Sequence, residues 1–312
     1  MSPDQIATAA SHQYFSRPAD QRFSDLETLQ AKVSGRRSAA MEFKSDIFDV
    51  EAVSTDDGLS FVAKRQPVAP MQPTHWAFGQ LATLIKAPAA YLRTLAAQGR
   101  EDVVVDLVNH GIQRRDTNSD GSAFKFLAVD EPVTAADVVS ADTSLALRHP
   151  SDDDVKTTLY SATSPTYGRI WDADVVDMTK RAIDAQNGTF YSPWAWGQKH
   201  RALFASHQDI FLYFIDGGSI VDGGGDRDQL NRGIYVWNSE VGAATFGIAT
   251  FLFRQTCGNF MVWGVQDAKI LNIRHTSGGP ERFVQEEPPA LADFAKSTVK
   301  MIEATLKAAK SY

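Results

Sequence analysis

The chain has almost no cysteine. Cys257 is the only one in 312 residues, which excludes an intrachain disulfide and a zinc site built from the cysteines of one chain. It lies in the apolar run "FLFRQTCGNF", where a thiol reads as a small buried hydrophobe rather than a nucleophile. Long hydrophobic runs are missing as well. No window offers the roughly 18 consecutive apolar residues of a membrane span. The start, "MSPDQIATAASHQYFSRPADQ", lacks the basic-then-apolar order of a secretory signal, so a cytoplasmic protein without a membrane partner is expected.

Positive charge is not in excess. The chain has 31 Lys+Arg against 38 Asp+Glu, a net charge of −7 and a pI near 5.5. Bulk charge thus lends nothing to non-specific binding of duplex DNA, which draws on a strongly basic surface; a local basic groove on an acidic protein stays open. Arg36-Arg37, Lys64-Arg65, Arg114-Arg115, Lys180-Arg181 and Lys199-His200-Arg201 are either solvated surface or the walls of such a groove.

Several catalytic signatures are lacking. "GGSIV" is no nucleophile elbow, no H-E-x-x-H occurs, and the seven histidines are scattered without metal-ligand spacing. Asp116, Asn118, Asp120 and Gly121 begin like a calcium loop, but its twelfth position is Leu127 instead of glutamate, which favours a polar hairpin tip. No repeat or low-complexity tract is found.

What is present describes an ordinary globular chain, 43% hydrophobic and 22% charged, long enough for a sizeable core. Ser24 or Asp25 can cap a helix through Leu26, Leu29 and Val33. Asp56-Asp57-Gly58 between apolar runs predicts a hairpin. Thr74 can cap a helix carrying Trp76, Leu81, Leu84 and Ile85. Pro88 interrupts, a second helix carries Tyr91, Leu92 and Leu95, and a third, around Glu101–Asn109, ends at Gly111. "IQRRDTNSDGSAFKFLAVD" reads as strand, turn, strand. An acidic connector with a short helix is expected over 130–156. A strand through Leu159 and Tyr160 follows, then a helix from Asp172 or Asp174 carrying Val175, Val176, Met178 and Ile183.

From Phe190 the chain turns β-rich. Ile210–Ile215, "RGIYVWNSEVG", "AATFGIATFLFRQTCGN", "FMVWG" and "KILNIRH" are expected strands. Phe246, Ile248 and Leu252 fall on one side of the third, and Ala249, Phe251 and Phe253 on the other. An apolar run alone leaves a buried helix open there. "ALADFAKSTVKMIEATLKAAKSY" has an amphipathic face of Leu291, Phe294, Met301 and Ile302. The expected fold is α+β: a mostly antiparallel sheet in the C-terminal half with helices packed on it, and an amphipathic C-terminal helix. The expected divisions are a polar, helical segment 1–35, an α+β subdomain 36–150 and a β-rich core 151–312.

Asp216–Asp228, "DGGSIVDGGGDRD", holds five glycines, four aspartates and an arginine. Strand-like flanks and the absence of lysine argue against a dinucleotide fingerprint or a Walker loop. It reads as a mobile loop between strands. The alternative is a Mg²⁺ or Ca²⁺ cage in which Asp216, Asp222, Asp226 and Asp228 are joined by Glu240.

"YSPWAWGQKHR" gathers Trp194, Trp196, Lys199, His200 and Arg201. Aromatic platforms beside cations suit single-stranded nucleic acid, and equally a packed corner with a cation–π contact. In the β-rich half, Glu240, Arg254, Arg274 and His275 stand beside apolar strands. Buried charges need partners, so a Glu240–Arg254 or Glu240–Arg274 pair is expected, or else a polar groove across the sheet.

"RGIYVWNSEVGAATFGIATFLFRQTCGNFMVWG…IRH", with "FGQLATLIKAPAAYLRTL" and "SPTYGRIWDADVV" before it, resembles the phage/plasmid-like proteins grouped as family 932 of the domains of unknown function. The resemblance spans roughly residues 70–280. Where that family's pattern reads Cys-x-Asn-Gly, this chain has Cys257-Gly258-Asn259-Phe260, a different turn chemistry. The resemblance implies a bacterial, phage or plasmid context and supplies no reaction.

Three functions remain open. The leading one is a non-enzymatic protein of DNA metabolism, binding single-stranded nucleic acid in recombination or annealing, with a homo-oligomer as one expected form. Trp194, Trp196, Lys199, Arg201, Arg232, Arg254, Arg274 and His275 would contact the strand. The second is a Mg²⁺-dependent enzyme acting on nucleotides or nucleic acid. The third is a structural or host-interaction protein without a ligand.

Overall fold

The computed structural model describes residues 17–56, 58–114, 123–132, 155–184, 190–193, 201–222, 229–254, 261–263 and 270–286; within them the side chains of 218–222, 229, 230, 232, 250, 252–254, 261–263 and 270 are outside the description. The fold is mixed α+β with mostly antiparallel sheets. The chain forms two compact units, one of residues 1–34 and 168–312, the other of residues 35–167. The first division falls one residue before that drawn from sequence at 35/36. The second falls beyond the acidic connector, so the strand through Tyr160 goes with the earlier unit.

Unit 35–167 holds a four-stranded sheet in the order β1 (Ala40–Ser45), β5 (Phe124–Pro132), β6 (Val155–Thr163), β4 (Gln72–Pro73), antiparallel except for β4–β6. A separate hairpin joins β2 (Val50–Thr55) to β3 (Gly58–Ala63). As the Asp-Gly signal predicts, the strands close at the Thr55–Gly58 pair, and Gly58 takes φ +100°, where a side chain would be strained.

Three helices pack on these strands. The first two are α2 (His75–Leu84), capped by Thr74 Oγ1 accepting from Ala77 N at 3.1 Å, and α3 (Ala89–Ala97), which starts after Pro88. The third is α4 (Glu101–Gln113). Phe61, Phe126, Leu81, Leu92, Val104 and Val108 are core residues here.

Two expectations fail in this unit. Gly111 does not stop α4. A Cβ on it would come within 3.1 Å of Ile85, so the glycine allows close approach inside the helix rather than ending it. Ile112 and Gln113 are therefore helical, and of the expected strand pair only β5 forms among the described residues; Asp116, Asn118, Asp120 and Gly121 lie outside them.

The other unit centres on a seven-stranded antiparallel sheet. Its path is β12 (Met261–Trp263), β11 (Phe246–Arg254), β10 (Gln229–Asn238), β9 (Ile210–Asp222), β7 (Phe190–Tyr191); β13 (Ile270–Ile273) pairs with β11 and β8 (Leu203–Ala205) with β9. Strand alternation sorts the side chains into two faces. Ile210, Leu212, Phe214, Ile234, Val236, Phe246 and Ile248 make one, covered by α1 (Leu26–Ser38) through Leu29 and Val33 and by α5 (Asp172–Asp184) through Val175, Val176 and Ile183. Helix 279–286 adds Phe283, edge-on to Phe246 at 4.8 Å. Asp25, not Ser24, caps α1, its Oδ1 accepting from Thr28 N at 2.6 Å. The other face is aromatic: Phe204, Phe211, Tyr213, Tyr235, Phe251 and the half-buried Trp237. The division of Phe246 and Ile248 from Ala249 and Phe251 is the one expected, which settles this segment as strand. The amphipathic stretch from Leu291 onward lies outside the described residues.

Candidate functional site at the end of the central strands

The polar run Asn238-Ser239-Glu240 closes β10 and meets the start of α5. All three residues are buried, and each has work to do on the main chain. Asn238 Nδ2 donates to Ile170 O at 2.9 Å and to Asp172 Oδ1 at 2.7 Å. Ser239 Oγ donates to Gln208 O at 2.5 Å and accepts from Ala243 N at 2.8 Å; this turn relies on Gly242 at φ +86°. Glu240 Oε2 accepts from Asp172 N at 3.1 Å, which places a carboxylate at the positive end of the helix dipole and satisfies one of its orphan donors. Arg169 Nη1 donates to the Glu240 carbonyl, and its guanidinium lies over the Trp171 ring at 5.5 Å.

His275 closes the same corner. Gly168 N donates to its carbonyl at 3.1 Å, and Nδ1 sits 3.2 Å from Gly168 O and 3.4 Å from Ile170 N. A neutral ring can serve only one of those two groups through Nδ1. Burial pushes its pKa down to about 4, helped by the Arg169 charge and opposed by the bonds to Gly168 and Ala244. Approach is close because residue 168 is glycine: a Cβ there would lie 1.8 Å from Thr276 O.

These contacts revise the expected pairings. Glu240 turns to the helix N-terminus, whereas Arg274 is exposed, and the Arg254 side chain lies outside the description. His275 is neutral near pH 7, so it is no phosphate-binding cation. Arg169, which the sequence reading passed over, carries the charge at this corner; its signal was a lone cation in "YGRIWDADVV".

The expected metal cage comes apart. Asn238 pairs with Ile210, so Glu240 lies past that end of the sheet, while Asp216 and Asp222 stand six and twelve residues up β9. At about 3.4 Å per residue these are roughly 20 and 40 Å of strand, against ligand–metal distances of about 2.0–2.6 Å. Asp216–Asp222 is strand rather than loop. Asp216 is buried and pairs with Phe190, and Asn231 Nδ2 donates to its carbonyl at 3.3 Å. The β9–β10 register jumps from Ile220–Asn231 to Ile215–Gly233, a bulge that sets residues 216–219 opposite Arg232 alone. Asp226 and Asp228 lie outside the described residues, among which no group of three His, Cys, Asp or Glu is placed to hold a metal ion.

Of the proposed nucleic-acid contacts, Trp194, Trp196 and Lys199 also lie outside. Arg201 is half-buried, with Nη1 donating to Ser192 O at 3.1 Å. Arg232 and Arg254 are placed by backbone only, in β10 and β11.

The same end of the sheet holds an aromatic file on its other face. Phe211 stacks with Tyr235 (5.7 Å, 13°) and with Trp237 (6.4 Å, 18°). Trp237 lies across Gly247, where a Cβ would be 2.0 Å from its ring. Gly247 pairs with Asn272, which is exposed, as is Arg274 two residues on. Trp237 was the residue here that sequence reasoning did not select.

Among the described residues no helix is long and apolar enough to cross a membrane. Comparison with protein-family models, curated proteins and solved structures finds no match to this chain.

Proposed function

We propose that the protein binds single-stranded nucleic acid without catalysing a reaction, through the open end of the aromatic face of the β-rich unit. The observation that carries this reading is Trp237. It is half-buried at the end of a stacked file and set flat by Gly247, with exposed Asn272 and Arg274 beside it. A fixed, partly accessible indole is a stacking platform for a base of any identity, and a nearby cation meets the phosphate. The setting proposed with it, recombination or annealing, rests on the resemblance read in the sequence alone. The Mg²⁺-enzyme reading draws no support from Asp216, Asp222 and Glu240, which the strand register holds far apart.

The test is a shift assay with labelled single-stranded oligonucleotides at roughly 20–50 mM salt, where phosphate contacts are strongest. Trp237→Leu and Arg274→Glu should each weaken binding by about tenfold, in line with about 1–3 kcal/mol for one stacked base. Added salt should weaken it further. Absence of binding at low salt removes the proposal.

A further inference from the structure

The unit of residues 35–167 carries a groove where two of its strands part. Phe61 and Met71 exchange both main-chain hydrogen bonds, at 2.8 and 2.9 Å. The next such pair would join Leu59 to Pro73, and proline has no N–H to give; β4 pairs with β6 instead. The gap is a groove of about 320 Å³ lined in part by Leu59, Pro73, His75, Phe78, Arg93 and Ala96.

The phase of β3 decides what faces that gap. Phe61 turns its N–H and C=O to Met71, so its pair with Ala52 across the hairpin is of the non-hydrogen-bonded kind. Ala52 duly spends both its groups on Asn109. Leu59, two residues from Phe61, has the same outward phase, and among the described residues no partner strand meets it. The groove thus has an open strand edge on one wall.

Arg93 gives the groove its charge. The guanidinium is half-buried, fixed by one bond from Nη2 to His75 O at 2.7 Å and by lying over the Phe78 ring at 5.4 Å. A guanidinium carries five donors, and no carboxylate among the described residues pairs with this one. An open edge, an apolar wall and a held cation are what an extended peptide with a free C-terminus needs: main-chain pairing, a side-chain seat and a carboxylate partner.

We propose that this groove binds the C-terminal end of an extended peptide with an apolar last residue. The carboxylate sits on Arg93, the main chain pairs with Leu59, and the last side chain rests on Phe78 and Ala96. The volume is at the low end for ligand pockets, about 300–1,000 Å³, which suits a chain terminus rather than a long segment.

Fluorescence anisotropy on the full chain tests it, with fluorescein-labelled Ser-Gly-Val-Leu as the free acid, the same peptide as its C-terminal amide, and octanoate as competitor. The acid should bind, and the amide about tenfold or more weaker, the loss of one charge-assisted contact. Octanoate should displace the acid only at far higher concentration, because it lacks a main chain. Arg93→Gln should bring the acid down to the level of the amide. Ala96→Phe, which fills the groove and leaves the charge in place, should abolish binding with the melting temperature retained; it decides the matter if Arg93→Gln does not fold. Equal binding of acid and amide, no binding at millimolar peptide, or octanoate competing as well as peptide overturns the proposal, the last by assigning the groove to small organic acids.

Discussion

His275 takes up a proton at about pH 4 in the folded chain and near its ordinary 6.5 when unfolded. Between those values the unfolded state binds more protons, so stability falls as the solution is acidified through that window and is fully present above it. Melting temperatures from pH 7 to pH 4 should decline, and the decline should flatten in His275→Gln; an unchanged slope would clear His275 of responsibility. Glu240 holds the start of α5. Its Oε2 accepts from the first N–H of α5, so Glu240→Ala strips a buried donor of its partner and should cost about 1–3 kcal/mol. Glu240→Gln keeps an acceptor and should cost less. Chemical denaturation midpoints of the three proteins give the comparison.

At the scale of elements, side-chain amides finish two sheets. Asn109 on α4 accepts from Ala52 N and donates to Ala52 O at 2.8 and 2.9 Å, standing in for a strand beside β2. Gln80 on α2 accepts from Ala162 N at 2.9 Å on β6. Asn109→Ala should therefore cost about 1–3 kcal/mol, while Asn109→Gln, too long by one methylene, should restore little; urea midpoints would show it. Neither amide could be picked out of the sequence, because each reaches across 57 or 82 residues. What was legible was local: Thr74 before its helix, Asp-Gly in the hairpin, and the two-residue period of β11. Misreadings arose where one residue type serves two ends. Gly111 looked like a helix stop and is a point of close packing. The glycines after Asp216 looked like a loop and begin within a bulged strand. For the candidate site, the polar run after β10 stood out in the sequence. Its engagement with Arg169 and Asp172, about 70 residues earlier, did not, because no local pattern encodes a contact made by folding.

At the scale of the whole molecule, the described residues form three apolar clusters: one in unit 35–167 around Phe61 and Phe126, and two in the other unit, around Phe246 and Phe214 and around Tyr213 and Phe251. Calorimetry should resolve two unfolding transitions. Phe61→Ala and Phe246→Ala each empty a fully buried site and should cost about 3–5 kcal/mol, each lowering a different transition. A single transition displaced by both would show that the units melt as one.

The strand edge closed by Asn109 also bears on how the protein ages. Carboxamides hydrolyse slowly to carboxylates in stored protein. At position 109 that reaction would keep the acceptor for Ala52 N but set an acidic oxygen against Ala52 O, where only a donor is tolerated. The edge of β2 would then be free to pair with the same edge of another molecule. An Asn109→Asp protein should accordingly form dimers and larger species on standing, visible by size-exclusion chromatography, while freshly purified wild type does not.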